Sequence, residues 1–426
     1  MAIDPLVNRQ FGPYILLRRL AVGGMAEIYL AMKQGPLHVR KIVVLKCISL
    51  QNNHVPEYIK LFYHEAELSL RMSHPNIIQT WDIEEIEGRH TMVIEYLYGV
   101  TLEDILKRQR ASSEALPLNV ALWIAVSILD ALEYVHTLRD LDGEALHIVH
   151  RDVTPQNIFV RFDGQCKLFD FGVATSARDP KQDEKGMLIG KYAYMSPEQC
   201  LGENVDGRSD TFAMAVVLYE MLTGHALFAR ENDIKTLDAV NHAVIESPSV
   251  YQKTLSPKLC AIVLKGLQRD PSSRYPDARS FGEAIRAFMK EESIEQSMFP
   301  LRRYVFETFL DEIEACQSFM ERAIREVQAK YPAPTFCLEK CAQAVCEDLV
   351  PINEGSIKIS VSKLTHIPVT PLLPKTCAGY QVKAECQEQA PTEASARPWK
   401  LIAVISMFLF VITLSLCVFM FLGYAP

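Results

Sequence analysis

Apolar residues along the first two thirds of the chain occur in two patterns. Near the N-terminus they form short runs rich in β-branched residues, two of which flank a glycine pair, as β-strands joined by a turn require. Further along they recur every three to four residues over longer segments, which predicts helices. The predicted strands are 14–20, 28–32, 42–46 and 91–97, and the predicted helices are 61–72, 120–136 and 212–224.

The helical spacing returns in the segment 294–330, which we interpret as an amphipathic helical extension. Such a stripe predicts a helix that docks on the preceding helical region or pairs with a partner helix, rather than one that carries chemistry. From 331 to 399 prolines are scattered and no period is sustained, so this segment is predicted to be a tether. The apolar positions of the stripe are Val305, Phe309, Ile313, Cys316, Met320, Ala323 and Val327.

The end of the chain has the pattern of a membrane span. Residues 401–422 contain no charge, and a helix of this length covers about 33 Å, enough for a hydrocarbon core. A buried core helix is the weaker interpretation, because core helices rarely lack a charge over such a length. Arg397, Trp399 and Lys400 precede the span, which predicts a cytoplasmic N-terminal bulk and an outside C-terminus. We therefore expect a transmembrane helix at 400–422, and no cleaved signal peptide at the N-terminus.

Charge and cysteine content narrow the class of protein. A general nucleic-acid binder is usually basic, so the net charge of -8 argues against nucleic acid as a partner. The 11 cysteines lack the dense pairing of a small secreted scaffold, which fits a reducing compartment. Five of them fall in the predicted tether without a C-x-x-C pair, which favours free thiols over a zinc or redox site. They are Cys337, Cys341, Cys346, Cys377 and Cys386.

The segment 150–157, His-Arg-Asp-Val-Thr-Pro-Gln-Asn, and the triplet 170–172, Asp-Phe-Gly, carry the chemistry. A carboxylate, Asp152, stands five residues before the carboxamide of Asn157 and eighteen before a second carboxylate, Asp170. Phosphoryl transfer from ATP uses such a set, with one carboxylate on the attacking hydroxyl and two oxygen donors for magnesium. The combined spacing resembles the eukaryotic-like protein kinases, most closely their bacterial serine/threonine (Hanks-type) branch.

The resemblance covers residues 11–293, which would form the kinase domain, and implies an α+β, bilobal protein-kinase fold. A small β-rich N-lobe would precede a larger α-helical C-lobe. It also implies ATP and Mg²⁺ as cofactors and proteins as phosphate acceptors. Because the predicted span would hold the domain at a membrane, we expect a single-pass protein of the cytoplasmic membrane, whose anchored chains could also pair as a homodimer.

The same resemblance assigns the site. Asp152 would be the catalytic base, Lys46 would contact the phosphates and pair with Glu65, and Asn157 and Asp170 would bind metal. The nucleotide-binding residues would be Ala21, Val22, Gly23, Gly24, Ile28, Lys46, Glu95 and Leu97, the last two through their backbone. The family pattern further predicts a buried Glu198–Arg274 pair that braces the activation segment, and a supporting contact from Asp210 to the catalytic loop.

Two positions depart from the family. A lysine usually follows the catalytic aspartate by two residues, where this chain has Thr154, and a threonine usually stands where this chain has Lys191. Our hypothesis is that the Lys191 ammonium supplies the missing charge, because the transferring phosphoryl group needs a nearby cation. Two alternatives remain beside the kinase. One is a membrane-tethered pseudokinase scaffold that recruits partners without turnover, and the other is a small-molecule phosphotransferase.

Overall fold

A six-stranded antiparallel sheet forms the N-terminal lobe of the computed structural model, in the order β1-β2-β3-β4-β6-β5. The structure describes residues 8–34, 40–112, 116–140, 142–171 and 191–331. One helix, α1 (Pro56–Arg71), connects β4 to β5 and buries Phe62 and Ala66 against the sheet. The strands are β1 (Gln10–Phe11), β2 (Tyr14–Val22), β3 (Ala26–Gln34), β4 (Arg40–Ile48), β5 (Thr80–Ile86) and β6 (Arg89–Glu95).

The C-terminal lobe is helical and follows directly on β6. The lobe includes a small three-stranded sheet, which is made of β7 (Gly99–Thr101), β8 (Ile158–Arg161) and β9 (Cys166–Leu168). The apolar core of the C-terminal lobe is built around the helices α3 and α5. The helices are α2 (Leu102–Ser112), α3 (Leu118–His136), α4 (Pro197–Cys200), α5 (Gly207–Thr223), α6 (Asp233–His242), α7 (Pro257–Gly266), α8 (Ala278–Glu291), α9 (Phe299–Thr308) and α10 (Leu310–Lys330).

The two central helices show why these segments fold as they do. Helix α5 begins earlier than its apolar run predicts because the Asp206 side chain caps its first turn by accepting from the Arg208 N–H. It ends at Gly224, whose φ of 72° suits a left-handed cap. Within the described part of the chain, α3 alone is long and apolar enough to cross a membrane, and its buried face is C-lobe core.

The predicted stripe lies on two helices that break at Phe309, where φ is −121°. Leu301, Val305, Phe309 and Ile313 join the C-lobe core. The later positions Ala323 and Val327 pack instead on the N-terminal sheet. The expectation that the stripe docks on the helical region therefore holds for its first half and is wrong for its second.

The chain divides into two units, residues 1–338 and 339–426, and every described residue belongs to the first. The predicted transmembrane helix at 400–422 lies outside the described residues. The same holds for the predicted tether after Tyr331, with its five cysteines, and for most of the segment between Phe171 and Lys191.

Candidate active site

The loop that carries Asp152 is fixed by a buried carboxylate beneath it. Both oxygens of Asp210, on α5, accept backbone hydrogen bonds at 2.8 Å, from the N–H groups of His150 and Arg151. The ring of His136 contacts the same carboxylate at 2.7 Å. These bonds hold Arg151 at a φ of 64°, a conformation that non-glycine residues seldom adopt. The predicted support of this loop by Asp210 is confirmed.

The pKa of Asp210 reflects this environment. Burial alone raises it, but the hydrogen bond and charge of His136, with help from His150, outweigh burial and leave the pKa below its usual range. Asp210 is therefore an ionised acceptor for the loop. His136 is a residue that our sequence reasoning missed, since a histidine at the end of a helix gives no sign of a partner on another helix.

Asp152 and Asn157 lie together at the start of β8. The Asn157 amide nitrogen donates to the backbone oxygen of Asp152 at 2.8 Å and to its carboxylate at 2.9 Å. Both side chains are buried. The turn 155–157 begins with a proline and is a single 3₁₀ turn, which brings the amide back over the aspartate. The spacing of five residues is thus converted into direct contact.

Lys46 reaches both a helix carboxylate and the second aspartate of the motif. Its Nζ lies 2.5 Å from Glu65 on α1 and 3.9 Å from Asp170 after β9. Asp170 has a φ of 59°, so its half-exposed carboxylate stands on a strained backbone. Next to it, Phe171 is buried and its ring lies 4.6 Å from that of His150. The structure therefore gathers Lys46, Glu65 and Asp170 from three separate elements.

The glycine turn between β2 and β3 is short and tied to the following loop. Gly23 donates its N–H to the Ala26 oxygen at 2.8 Å, and the Asn52 amide donates to the Gly24 oxygen at 2.7 Å. Ala21 and Val22, at the end of β2, are exposed. Further along β3, Ile28 lies directly opposite Lys46 on β4. Ala21 pairs with Ile28, so these two predicted nucleotide residues share the sheet face of the lysine, whereas Val22 pairs with Glu27 on the opposite face.

The segment that joins the two lobes is anchored on both sides. Glu95 donates its N–H to the Gln79 oxygen at 2.9 Å, and its carboxylate accepts from Lys167 at 2.6 Å. Lys167, on β9, is buried and also donates to the Ile77 oxygen at 3.0 Å. Leu97 is buried. Sequence reasoning missed Lys167, although a lone lysine between Cys166 and Leu168 in an apolar strand is an identifiable signal.

A buried ion pair joins α4 to the segment that precedes α8. Arg274 contacts Glu198 with both terminal nitrogens, at 2.8 and 2.7 Å, and Ser209 donates to the same carboxylate. Burial raises the pKa of Glu198, but the hydrogen bonds from Arg274 and Ser209 outweigh it, so the pKa is lowered. The predicted Glu198–Arg274 pair is confirmed.

Thr154 and Lys191 are the two positions that depart from the family, and the structure describes the side chain of Thr154 alone. Thr154 is buried, and its hydroxyl has no hydrogen-bond partner among the residues that the structure describes. Lys191 opens a 3₁₀ turn, Lys191–Tyr194, but its side chain lies outside what the structure describes. Within the described part of the chain this hydroxyl, two residues after Asp152, is an unsatisfied buried polar group, which is uncommon in folded proteins.

A β-rich lobe above a helical lobe, with a lysine–glutamate pair facing an aspartate–asparagine loop, defines the protein kinase class. The model of the protein kinase domain family matches residues 14–284. This chain belongs to that family, and its predicted bilobal kinase fold is confirmed.

Two curated relatives agree with this assignment. The chain is 35% identical over 295 residues to tyrosine-protein kinase MasK of Myxococcus xanthus, covering 69% of this chain and 46% of MasK. It is 29% identical over 297 residues to serine/threonine-protein kinase PrkC of Bacillus subtilis, covering 69% and 43%. The solved PknI kinase domain of Mycobacterium tuberculosis has a TM-score of 0.49 at 24% identity, over 66% of this chain and 98% of that one. The chain spans less than half the length of the two curated relatives.

Proposed function

We propose that this protein is a serine/threonine protein kinase that transfers the γ-phosphoryl group of ATP to protein hydroxyls. The observation that carries the proposal is the convergence of five side chains from both lobes. Asn157 contacts Asp152 at 2.9 Å in the C-lobe, while Lys46 contacts Glu65 at 2.5 Å and lies 3.9 Å from Asp170. Catalysis of phosphoryl transfer is largely positioning and charge stabilisation, for which such a set suffices.

Each residue has a role in the reaction. Asp152 orients the attacking hydroxyl and accepts its proton. The hydroxyl oxygen forms a bond to the γ-phosphorus as the bond to the β,γ-bridging oxygen breaks, and ADP leaves. Lys46 neutralises phosphate charge, and Glu65 holds the lysine in place. The backbone carbonyl of Glu95 remains for the adenine amino group, because the Glu95 N–H is already bonded to Gln79.

Asn157 and Asp170 fit the expected magnesium ions in chemistry. Mg²⁺ prefers oxygen ligands and usually takes one or two from protein, with phosphates and water supplying the rest. The Asn157 nitrogen is committed to Asp152, so its amide oxygen is the donor that would face a metal. Among the described residues, no cluster of three His, Cys, Asp or Glu side chains could hold a metal alone, which fits a shared site. When bound, magnesium would supply positive charge that the phosphates need.

The Lys191 hypothesis stays part of the proposal. The hydroxyl of buried Thr154 supports it, because this group has no partner within the described ranges and a partner from the activation segment would satisfy it. The ammonium would then stand beside Asp152, where the family usually has its lysine. The alternative function, a pseudokinase scaffold, is favoured by the exchange itself, because Thr154 cannot supply the charge that a lysine would.

The decisive experiment is an assay of the purified full chain with Mg·ATP and a generic protein substrate, followed by phosphoamino-acid analysis. We expect phosphoserine or phosphothreonine from the wild type and none from Asp152→Asn. Lys191→Ala should lower turnover by about two orders of magnitude, the scale for one lost electrostatic group. Equal incorporation by wild type and Asp152→Asn would sink the kinase proposal. Phosphotyrosine alone would overturn the serine/threonine assignment, and unchanged turnover in Lys191→Ala would refute the exchange.

We further propose that residues 400–422 anchor the chain in the cytoplasmic membrane with the kinase domain inside. The support is the uncharged 401–422 run and the basic residues before it. Fractionation of cells that express the full chain tests this. The wild type should stay in the membrane fraction after a carbonate wash, and the same result for a chain ending at residue 398 would refute it. A homodimer of anchored chains would appear as a cross-link that needs residues 400–422.

A further inference from the structure

Helix α10 contacts both lobes and the segment between them. At its C-lobe end Ile313 is part of the helical core, together with Phe309 at the break before α10. Arg108, on α2, donates to the Thr308 oxygen and to the Glu312 carboxylate, and its guanidinium lies 4.5 Å from the Phe309 ring. The start of the helix is therefore fixed to the C-lobe by apolar burial and by charge.

The middle of α10 lies against the connecting segment. The Tyr96 hydroxyl lies 3.2 Å from the Cys316 sulfur, and the Tyr98 hydroxyl donates to the Ile313 oxygen at 2.9 Å. Tyr96 stands between Glu95 and Leu97, the two residues whose backbone is expected to bind adenine. Burial raises the pKa of Tyr96, which adds to the cost of ionising the hydroxyl that lies against Cys316. The position of this segment is thus coupled to the helix.

The end of α10 packs on the N-terminal sheet. Ala323 and Val327, which are 5% and 1% exposed, cover apolar side chains of β2 and β3. The Asn8 amide donates to Glu326 at 3.2 Å, and Lys330 donates to the Asn8 oxygen at 2.7 Å. The covered side chains are Ile15, Leu17, Leu30 and Met32, all at most 3% exposed.

The strand register shows that α10 and α1 cover opposite ends of one sheet face. Residues paired across antiparallel strands share a face, and so do alternate residues along a strand. The row of paired residues Met32 and Ile42 lies under α10. The row at the other end contains Lys46, whose partner Glu65 is on α1. Ile28, Val44 and Lys46 are only half-buried, so the face stays partly open between the two helices. The rows are Met32–Ile42, then Leu30–Val44–Ile94, then Ile28–Lys46–Met92.

We infer that α10 is a positioning element of the nucleotide site, with Val327 and Ala323 fixing the sheet and Ile313 and Cys316 fixing the connecting segment. The inference rests on the proposed kinase function. A nucleotide bound beneath the half-open rows would contact the sheet on one side and the backbone near Tyr96 on the other. Because α10 joins both to the C-lobe, its docking sets their separation before the nucleotide arrives. Preorganisation of this kind raises affinity by lowering the entropy lost on binding.

A matched pair of substitutions in the full chain tests the inference. Val327→Asp buries a charge at the contact with the sheet, which displaces the helix, because an unpaired buried charge is strongly unfavourable. Gln328→Asp adds the same charge one residue away, at an exposed position. For each protein we would measure the Kd of a non-hydrolysable ATP analogue with Mg²⁺, the KM for ATP, kcat, and hydrogen exchange of β2 and β3.

Val327→Asp should weaken analogue binding by about tenfold or more, which corresponds to about 1.4 kcal/mol. It should raise KM more than it lowers kcat, and it should increase exchange in β2 and β3. Gln328→Asp should match the wild type in all four measurements. A purely structural role would lower the active fraction and hence the apparent kcat, and would leave KM unchanged. Increased exchange with unchanged Kd in Val327→Asp would overturn the positioning role.

A second variant guards against a failure of Val327→Asp to fold. Tyr98→Phe removes only the hydroxyl that donates to the Ile313 oxygen and keeps the ring. It should weaken analogue binding by about threefold, the scale of one net hydrogen bond, and an unchanged Kd would count against the inference. The two proposals fail differently. Wild-type chain that binds the analogue but transfers no phosphate overturns the kinase proposal alone, whereas wild-type affinity in both variants overturns only the role of α10.

Discussion

Asp152 and Lys46 lie in regions that are held in different ways. The loop of Asp152 is fixed from below by Asp210, whose carboxylate is 1% exposed and accepts from two backbone N–H groups. The sheet of Lys46 has polar contacts at its margins, from Arg89 to the Ile48 oxygen at 2.8 Å and from Lys167 to the Glu95 carboxylate at 2.6 Å. Its face is instead covered at its two ends by the helices α1 and α10, and its glycine turn is exposed.

This difference separates a preformed part of the site from an adjustable one. Buried, fully bonded polar groups stabilise one geometry, because any displacement leaves a polar group unsatisfied. The exposed glycine turn has few contacts of either kind, so its displacement costs less. We therefore expect the catalytic loop to keep its shape with and without nucleotide, and the glycine turn to carry most of the adjustment.

Replacement of Asp210 tests the preformed part and has the largest expected effect. Asp210→Asn should lower the free energy of unfolding by about 3–5 kcal/mol, the usual result of breaking a buried charged network. Turnover should fall as well, because Arg151 loses the contact that holds its backbone. Urea denaturation and the phosphorylation assay measure both effects. Asp206→Asn is the control, since Asp206 is half-exposed and asparagine caps a helix equally well. A loss below about 1 kcal/mol for Asp210→Asn would contradict the comparison.

Replacement of Glu198 has a smaller effect that depends on pH. Glu198→Gln should cost about 1.5–3 kcal/mol at pH 7, the scale of hydrogen bonds to a charged group, because buried Arg274 keeps an amide oxygen as partner but loses its counter-charge. The pKa of Glu198 is lowered in the folded state, so its stabilisation is complete above the unfolded value of about 4.3. That stabilisation is lost as the pH falls through the lower folded pKa. The difference between wild type and variant should therefore shrink from pH 7 towards pH 3.

Denaturation of both proteins across this range measures the difference. Glu283→Gln is the control, because its ion pair with Arg279 is exposed and such pairs contribute little. A stability difference between wild type and Glu198→Gln that stays constant down to pH 3 would show that the charge of Glu198 is not what stabilises the pair.

Alanine substitutions in the glycine turn probe the adjustable part and have the smallest effect. A Cβ at Gly24 meets no atom within 4 Å, whereas a Cβ at Gly23 lies 3.3 Å from the Ala26 oxygen. Neither glycine has a positive φ. Gly24→Ala should therefore stabilise the fold by about 0.4–1 kcal/mol through reduced unfolded-state entropy. Gly23→Ala should gain less or lose stability. Thermal unfolding of both variants measures the two changes in stability. Equal gains would contradict the close approach of a Cβ at Gly23 to the Ala26 oxygen.

Several elements of the fold and the site could be predicted from the sequence because local spacing specifies them. The 150–157 motif implied that Asp152 and Asn157 meet, and one 3₁₀ turn brings them together. The nineteen-residue separation of Lys46 and Glu65 likewise became a contact between β4 and α1. The spacing of the motif and the order of β4 and α1 along the chain are both local in sequence. The resemblance to the kinase family then indicated which side chains meet.

The contacts that escaped prediction are those between distant elements. An apolar stripe shows which side of α10 is buried but does not show what covers it, so the N-lobe contact of Ala323 and Val327 was missed. The Lys167–Glu95 ion pair was missed for a similar reason. Lysine is usually exposed, and only the packing of β9 beneath the connecting segment buries it.

The covering of β2 and β3 by α10 has a consequence for how the chain is made. Asn8 and Glu326 are partners that lie 318 positions apart, so the first strands leave the ribosome long before the helix that covers them. Until then Ile15, Leu17, Leu30 and Met32 face water, and such nascent surfaces invite aggregation and chaperone binding. A shortened gene that stops at codon 293 would leave this apolar face permanently bare, whereas one that continues through codon 331 would encode its cover.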